Sequence, residues 1–84
     1  MTGSAQPQCH RLTKEEADLA RAEQDIAEGQ MRITGQELRI EKLRIEGRDT
    51  SRSEDLLETL RATLAEWYAH RETILETIRR LRNP

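Results

Sequence analysis

Apolar residues recur along this chain at helical spacing. Leu12, Leu19, Ile26, Ile33 and Ile40 repeat every seven residues, and Ala22, Gly29, Gln36 and Leu43 follow three residues after the last four of them. Further on, Leu57, Leu60, Leu64, Trp67, Arg71, Ile74, Ile78 and Leu81 alternate steps of three and four without a slip. Both runs are a/d seams of a left-handed coiled coil, the narrow stripe by which one helix packs on another. No proline interrupts the chain between Pro7 and Pro84, so both runs are free to be helical.

Punctuation sets the expected boundaries. Residues 1–12 are polar and without period, and read as a flexible N-terminal tail; the hairpin occupies 13–84. Thr13 and Glu16 fit a capping box. Gly47 is suited to a left-handed helix C-cap. Ser51 and Glu54 offer a second box, with Thr50 and Ser53 as alternative caps. The expectation is two helices, about 14–46 and 52–82, joined by a turn at 47–51. Acidic residues (Glu15, Glu16, Asp18; Glu54, Asp55, Glu58) open each segment and basic ones (Lys42, Arg44; Arg79, Arg80, Arg82) close it, as the helix dipole favours. The fold class is all-α, an antiparallel two-helix coiled-coil hairpin.

Folding the chain at the turn so that facing residue numbers sum to 100 joins each a position to a d position. The layers run from Leu43/Leu57 to Leu19/Leu81. A sum of 93 leaves no room for the turn, and 107 demands a longer one. One layer is polar: Arg71 is set opposite Gly29, with its guanidinium expected to reach Asp25 or Glu28. Such a layer fixes register, and an anion site at Arg71 is the functional alternative.

A two-helix hairpin cannot enclose its own core, and surplus apolar residues suggest what completes it. Met31, Leu38 and Ile45 form another seven-residue stripe on the far side of the first helix, with Ala20 and Ala27 beside it. Leu56, Tyr68 and Leu75 widen the second seam sideways. These six residues are the expected interface of a homodimer, two hairpins pairing into a four-helix bundle, or a grip for another helical protein. Gly35 has no role in this scheme.

Composition narrows the chemistry. At 84 residues, 35% hydrophobic and 36% charged, the chain has too little material for a two-layer enzyme with its own core and pocket. No positioned acid–base pair, nucleophile or metal cluster emerges, Glu66 and His70 being the one pair at hydrogen-bonding spacing. The expectation is therefore no enzymatic activity, no cofactor and no metal. Cys9 is the only cysteine and lies beside His10, so no internal disulfide forms. No apolar run approaches a membrane span, and no signal-peptide core follows Met1, so the expected location is the cytoplasm without membrane contact. A net charge of −2 gives no global field for nucleic acid. The basic cluster Arg79, Arg80 and Arg82 still makes a small nucleic-acid-binding hairpin dimer, similar to the Rop type, the main alternative to a non-catalytic interaction or scaffolding module.

The stretch Ala27–Ile33, the Gly47-Arg-Asp-Thr50 turn and the Glu54-Asp-Leu-Leu57 start of the second segment resemble short helical-hairpin proteins of alphaproteobacteria. The resemblance covers roughly residues 26–75. It implies a bacterial origin and a stand-alone hairpin, and it brings no activity with it.

Overall fold

The computed structural model describes residues 7–83. They form two helices, α1 (Pro7–Ile45) and α2 (Ser51–Arg82), lying antiparallel in a rod about 60 Å long. Every a/d position of both runs is buried or half-buried from Leu12 to Leu43 and from Leu57 to Leu81. The most enclosed are Ala22, Ile26, Ile40, Ile74 and Ile78, and the seam between the helices is the whole of the hydrophobic core.

α1 starts earlier than its capping box suggests. Residues 7–12 are helical, Thr13 lies inside the helix, and only residues 1–6 of the expected tail fall outside the described residues. Proline is well suited to the first helical turn, where its missing N–H has no partner to lose. The stronger reason is Leu12, which packs against the cluster of Ala22, Ile74 and Ile78. Burying it requires helix on both sides of Thr13, and an apolar side chain outweighs the roughly 1 kcal/mol of a capping box.

The turn keeps the expected length of five residues but lies one residue earlier, at 46–50. α1 ends in a Schellman motif: Arg48 N–H donates to Leu43 O at 2.8 Å and Gly47 N–H to Arg44 O at 2.9 Å. Gly47 supplies the left-handed residue, with φ of +70°. Thr50 occupies the cap position of α2 but its side chain makes no capping hydrogen bond. Asp49 takes that role, its Oδ1 accepting from Ser51 N–H at 3.1 Å and Ser51 Oγ–H at 2.7 Å. Those two bonds hold the Asp49 carboxyl below its ordinary value of 3.8.

This turn draws the helices into a register one heptad shorter than the sum of 100. The position a Gly29 Cβ would take lies 3.2 Å from Leu64 Cδ1, and the Gln36 amide donates to Ser53 O at 2.8 Å. Leu12 is packed against α2, whereas the longer register would carry it past the end of that helix. Facing numbers therefore sum to 93, which sets Leu12 opposite Leu81, Ala22 opposite Arg71, Gly29 opposite Leu64 and Leu43 opposite Thr50. Along one flank run four polar contacts, each between e positions whose numbers sum to 98. They are Arg82–Glu16 at 2.6 Å, Gln30–Tyr68 at 2.6 Å, Arg61–Glu37 at 3.0 Å and Arg44–Glu54 at 3.0 Å. The offset of five residues follows from side chains leaning toward the N-terminus of their own helix, which in an antiparallel pair brings them together.

Two measurements check the turn. Gly47→Ala will cost about 1 kcal/mol in urea unfolding, because nothing crowds the added methyl and the cost is the left-handed backbone alone; an unchanged midpoint would contradict it. The Asp49 carboxyl will titrate below 3.8 by NMR. Its folded value is depressed, so its contribution to stability is complete above the unfolded value and is lost as pH falls through the folded one. Asp49→Ala will correspondingly weaken the acid dependence of stability in that window.

Candidate interaction surface

With its a/d face against α2, α1 presents its opposite face to solvent. There Met31, Leu38 and Ile45 are 73%, 67% and 80% exposed. They alternate with Ala17, Ala20, Gln24, Ala27, Thr34 and Glu41, all exposed. In chain order these nine residues are the b and f positions of α1, a stripe of large apolar, small and polar side chains facing away from α2. Between the large residues lies a shallow groove of about 550 Å³ lined by Ala27, Gln30, Met31, Thr34, Gly35 and Leu38. Gly35 sits on its rim with nothing within 4 Å of where a Cβ would be.

The remaining expected interface residues are elsewhere. Tyr68 and Leu75 are half-buried e positions on the flank of the polar ladder, where the Gln30 amide donates to Tyr68 Oη. Leu56, 49% exposed, is a g position on the opposite flank. The six therefore do not share one face, and a closed four-helix bundle built on all of them has no surface to close around. The α1 stripe stands as a surface by itself.

Arg71 is not opposite Gly29, and it forms no ion pair with Asp25 or Glu28 among the described residues. Level with it in the shorter register is Ala22, 1% exposed, which supplies the room. The guanidinium carbon lies 5.2 Å from the Tyr68 ring centroid, a cation–π contact. Arg71 Nε is buried with no hydrogen-bond partner. Half-buried, Arg71 forms a polar layer of one residue within the seam.

The basic end is largely engaged. Arg82 donates to Glu16 and Arg80 to Glu76, each at 2.6 Å; the Arg80 bond and charge hold the Glu76 carboxyl below its ordinary 4.5. Arg79 is exposed. Exposed ion pairs of this kind are each worth less than about 1 kcal/mol, and Glu16 and Glu76 reduce the net positive charge that this end offers a polyanion. His70 packs edge-on to Trp67, with centroids 5.6 Å apart, in place of the expected contact with Glu66. Among the described residues no group of His, Cys, Asp and Glu is placed to hold a metal, and no helix is long and apolar enough to cross a membrane. The Cys9 side chain lies outside the described set. A second groove, of about 380 Å³, is lined by Glu37, Glu41, Glu54, Arg44 and Arg61 with Ile40 and Leu57 at its floor. Its charges are paired with one another, Arg44–Glu54 and Arg61–Glu37 across the ladder and Arg44–Glu41 along α1.

Sequence reasoning finds the large members of the α1 stripe. It misses that the small and polar residues between them share the same b/f face, although the positions from Ala17 to Ile45 are there to be counted. Compared with protein-family models, with curated proteins and with solved structures, the chain matches none.

Proposed function

We propose that the protein is a non-catalytic interaction or scaffolding module that grips a helix through the b/f face of α1. The observation that carries this reading is the exposure of Met31, Leu38 and Ile45 on a helix whose a/d seam is already filled. Isolated exposed hydrophobes are ordinary, whereas a stripe about 20 Å long at coiled-coil spacing is costly to leave in water and is what a second helix covers. Self-association is the form of the reading best supported by the chain's own geometry.

The test is Leu38→Glu. Leu38 makes no part of the intramolecular seam, so helicity and urea midpoint at low concentration will stay within about 0.5 kcal/mol of the parent. Association measured by light scattering after size exclusion will be lost. Retained association in the folded variant would remove the α1 face from the proposal.

A further inference from the structure

We infer that the occupant of the α1 face is the same face of a second copy, packed antiparallel about a twofold axis, so that the dimer is a flat row α2–α1–α1–α2. The inference rests on the interaction reading above and adds its partner, direction and register. The first argument is the order of large and small residues along the seam. If facing residues of the two copies have numbers summing to 65, Ala20 meets Ile45, Ala27 meets Leu38, Thr34 meets Met31 and Gln24 meets Glu41. The twofold axis repeats each layer, giving eight in all. Every large apolar side chain then faces a small one and the two polar residues face each other, the alternation that lets facing layers interdigitate. One heptad shorter, Ala17 meets Glu41 and Ile45 meets Thr13; one heptad longer, Met31 meets Glu41. Only the middle register matches throughout.

Charge gives the second argument, using the lean this molecule displays. Across the α1–α2 seam, flanking residues meet when their numbers exceed the register sum by five. The equivalent flank of the b/f seam holds Arg21, Glu28, Gly35 and Lys42. The same offset brings Glu28 to Lys42 of the second copy, twice. The register one heptad shorter would instead set Arg21 against Lys42. Within the chain Glu28 accepts only from Gln24, and Lys42 has no ion pair among the described residues.

The same offset sets Gly35 against its own copy beside the twofold axis. A mid-helix glycine is less favourable than alanine, and nothing within the hairpin approaches this one. A backbone crossing close to the axis is what its bare surface accommodates.

The overlap, residues 20–45, is about 38 Å of helix on helix.

The experiment is a charge exchange across one layer, read by sedimentation equilibrium with helicity checked by circular dichroism. Ala27→Glu alone and Leu38→Lys alone will each raise the dimer dissociation constant at least ~100-fold, by burying an unpaired charge. Combined in one chain they will recover at least ~10-fold of that loss, because the new carboxylate of each copy then faces the new ammonium of the other. Positions 27 and 38 of one chain are about 16 Å apart along the helix, so the two introduced charges cannot pair internally. In a Cys9→Ser background, spin labels at Arg32→Cys will lie within about 20 Å of each other and those at Glu46→Cys about 40 Å apart along the axis. A wild-type monomer at every concentration would overturn self-association itself. A dimer with no recovery in the double variant, or with both label pairs equally close, would leave self-association standing and overturn the antiparallel register.

Discussion

Ile74→Ala will remove about 3 kcal/mol of folding stability, the largest loss expected from any single truncation in the hairpin. Ile74 is 4% exposed and forms, with Ala22 and Ile78, the cluster against which Leu12 and Leu19 pack. Truncation loses the transfer free energy of three carbons and leaves a void that two straight helices cannot close by collapsing, since Ala22, in the same cluster, is already small. A chain of this size has about 4–12 kcal/mol in total, so the variant will be partly unfolded at 37 °C. Leu56→Ala, on a residue 49% exposed, will cost under about 1 kcal/mol. Urea unfolding followed at 222 nm separates the two. A loss below ~1 kcal/mol at Ile74 would mean that the shared cluster is not the centre of the core.

Arg71→Leu will change stability in the other direction, by about 1 kcal/mol. Arg71 Nε is buried and unpartnered, and an orphan donor of that kind costs about 1–3 kcal/mol. The contact with Tyr68 returns roughly 0.5–1 kcal/mol. Leucine removes both, fits beside Ala22, and extends the run of Ile and Leu on α2. If Arg71 acts to exclude other registers, its replacement will raise the urea midpoint while broadening the transition or the amide NMR lines, as alternative pairings one heptad away become populated. Destabilisation by more than ~1 kcal/mol would show that the guanidinium is held by bonds worth more than its desolvation.

Much of this architecture is legible in the residues, and the part that is not has a definite cause. The seams are readable because Ile and Leu at three-four spacing have no other use in so charged a chain. The register is not, because two heptad helices match equally well at every shift of seven and only the turn decides among them. Two signs in the sequence favour the shorter register. It gives Leu12 a partner in Leu81, and its leaning e positions pair Glu16 with Arg82, Glu37 with Arg61 and Arg44 with Glu54. The longer one would set Arg44 against Arg61. The start of α1 escapes the pattern for a related reason: the capping box at Thr13 is a local preference, and Leu12 is held by a contact with α2 that local pattern does not contain. Gly29 and Arg71, expected to complement each other, each find a different neighbour once the register moves by one heptad. The α1 stripe is legible through Met31, Leu38 and Ile45. Apolarity alone groups Leu56, Tyr68 and Leu75 with it, although their heptad positions already place them on other flanks.

The two faces of α1 divide the work of the chain. One makes the hairpin, and on our proposal the other joins it to a second copy through a face that closes about a twofold axis and leaves no stripe for further addition. Sedimentation equilibrium of the full chain over a wide concentration range tests this most directly. The predicted result is a reversible dimer of twice the 9.8 kDa chain mass, converted by Leu38→Glu to a monomer of unchanged helicity. A fully helical wild-type monomer at every concentration would contradict it.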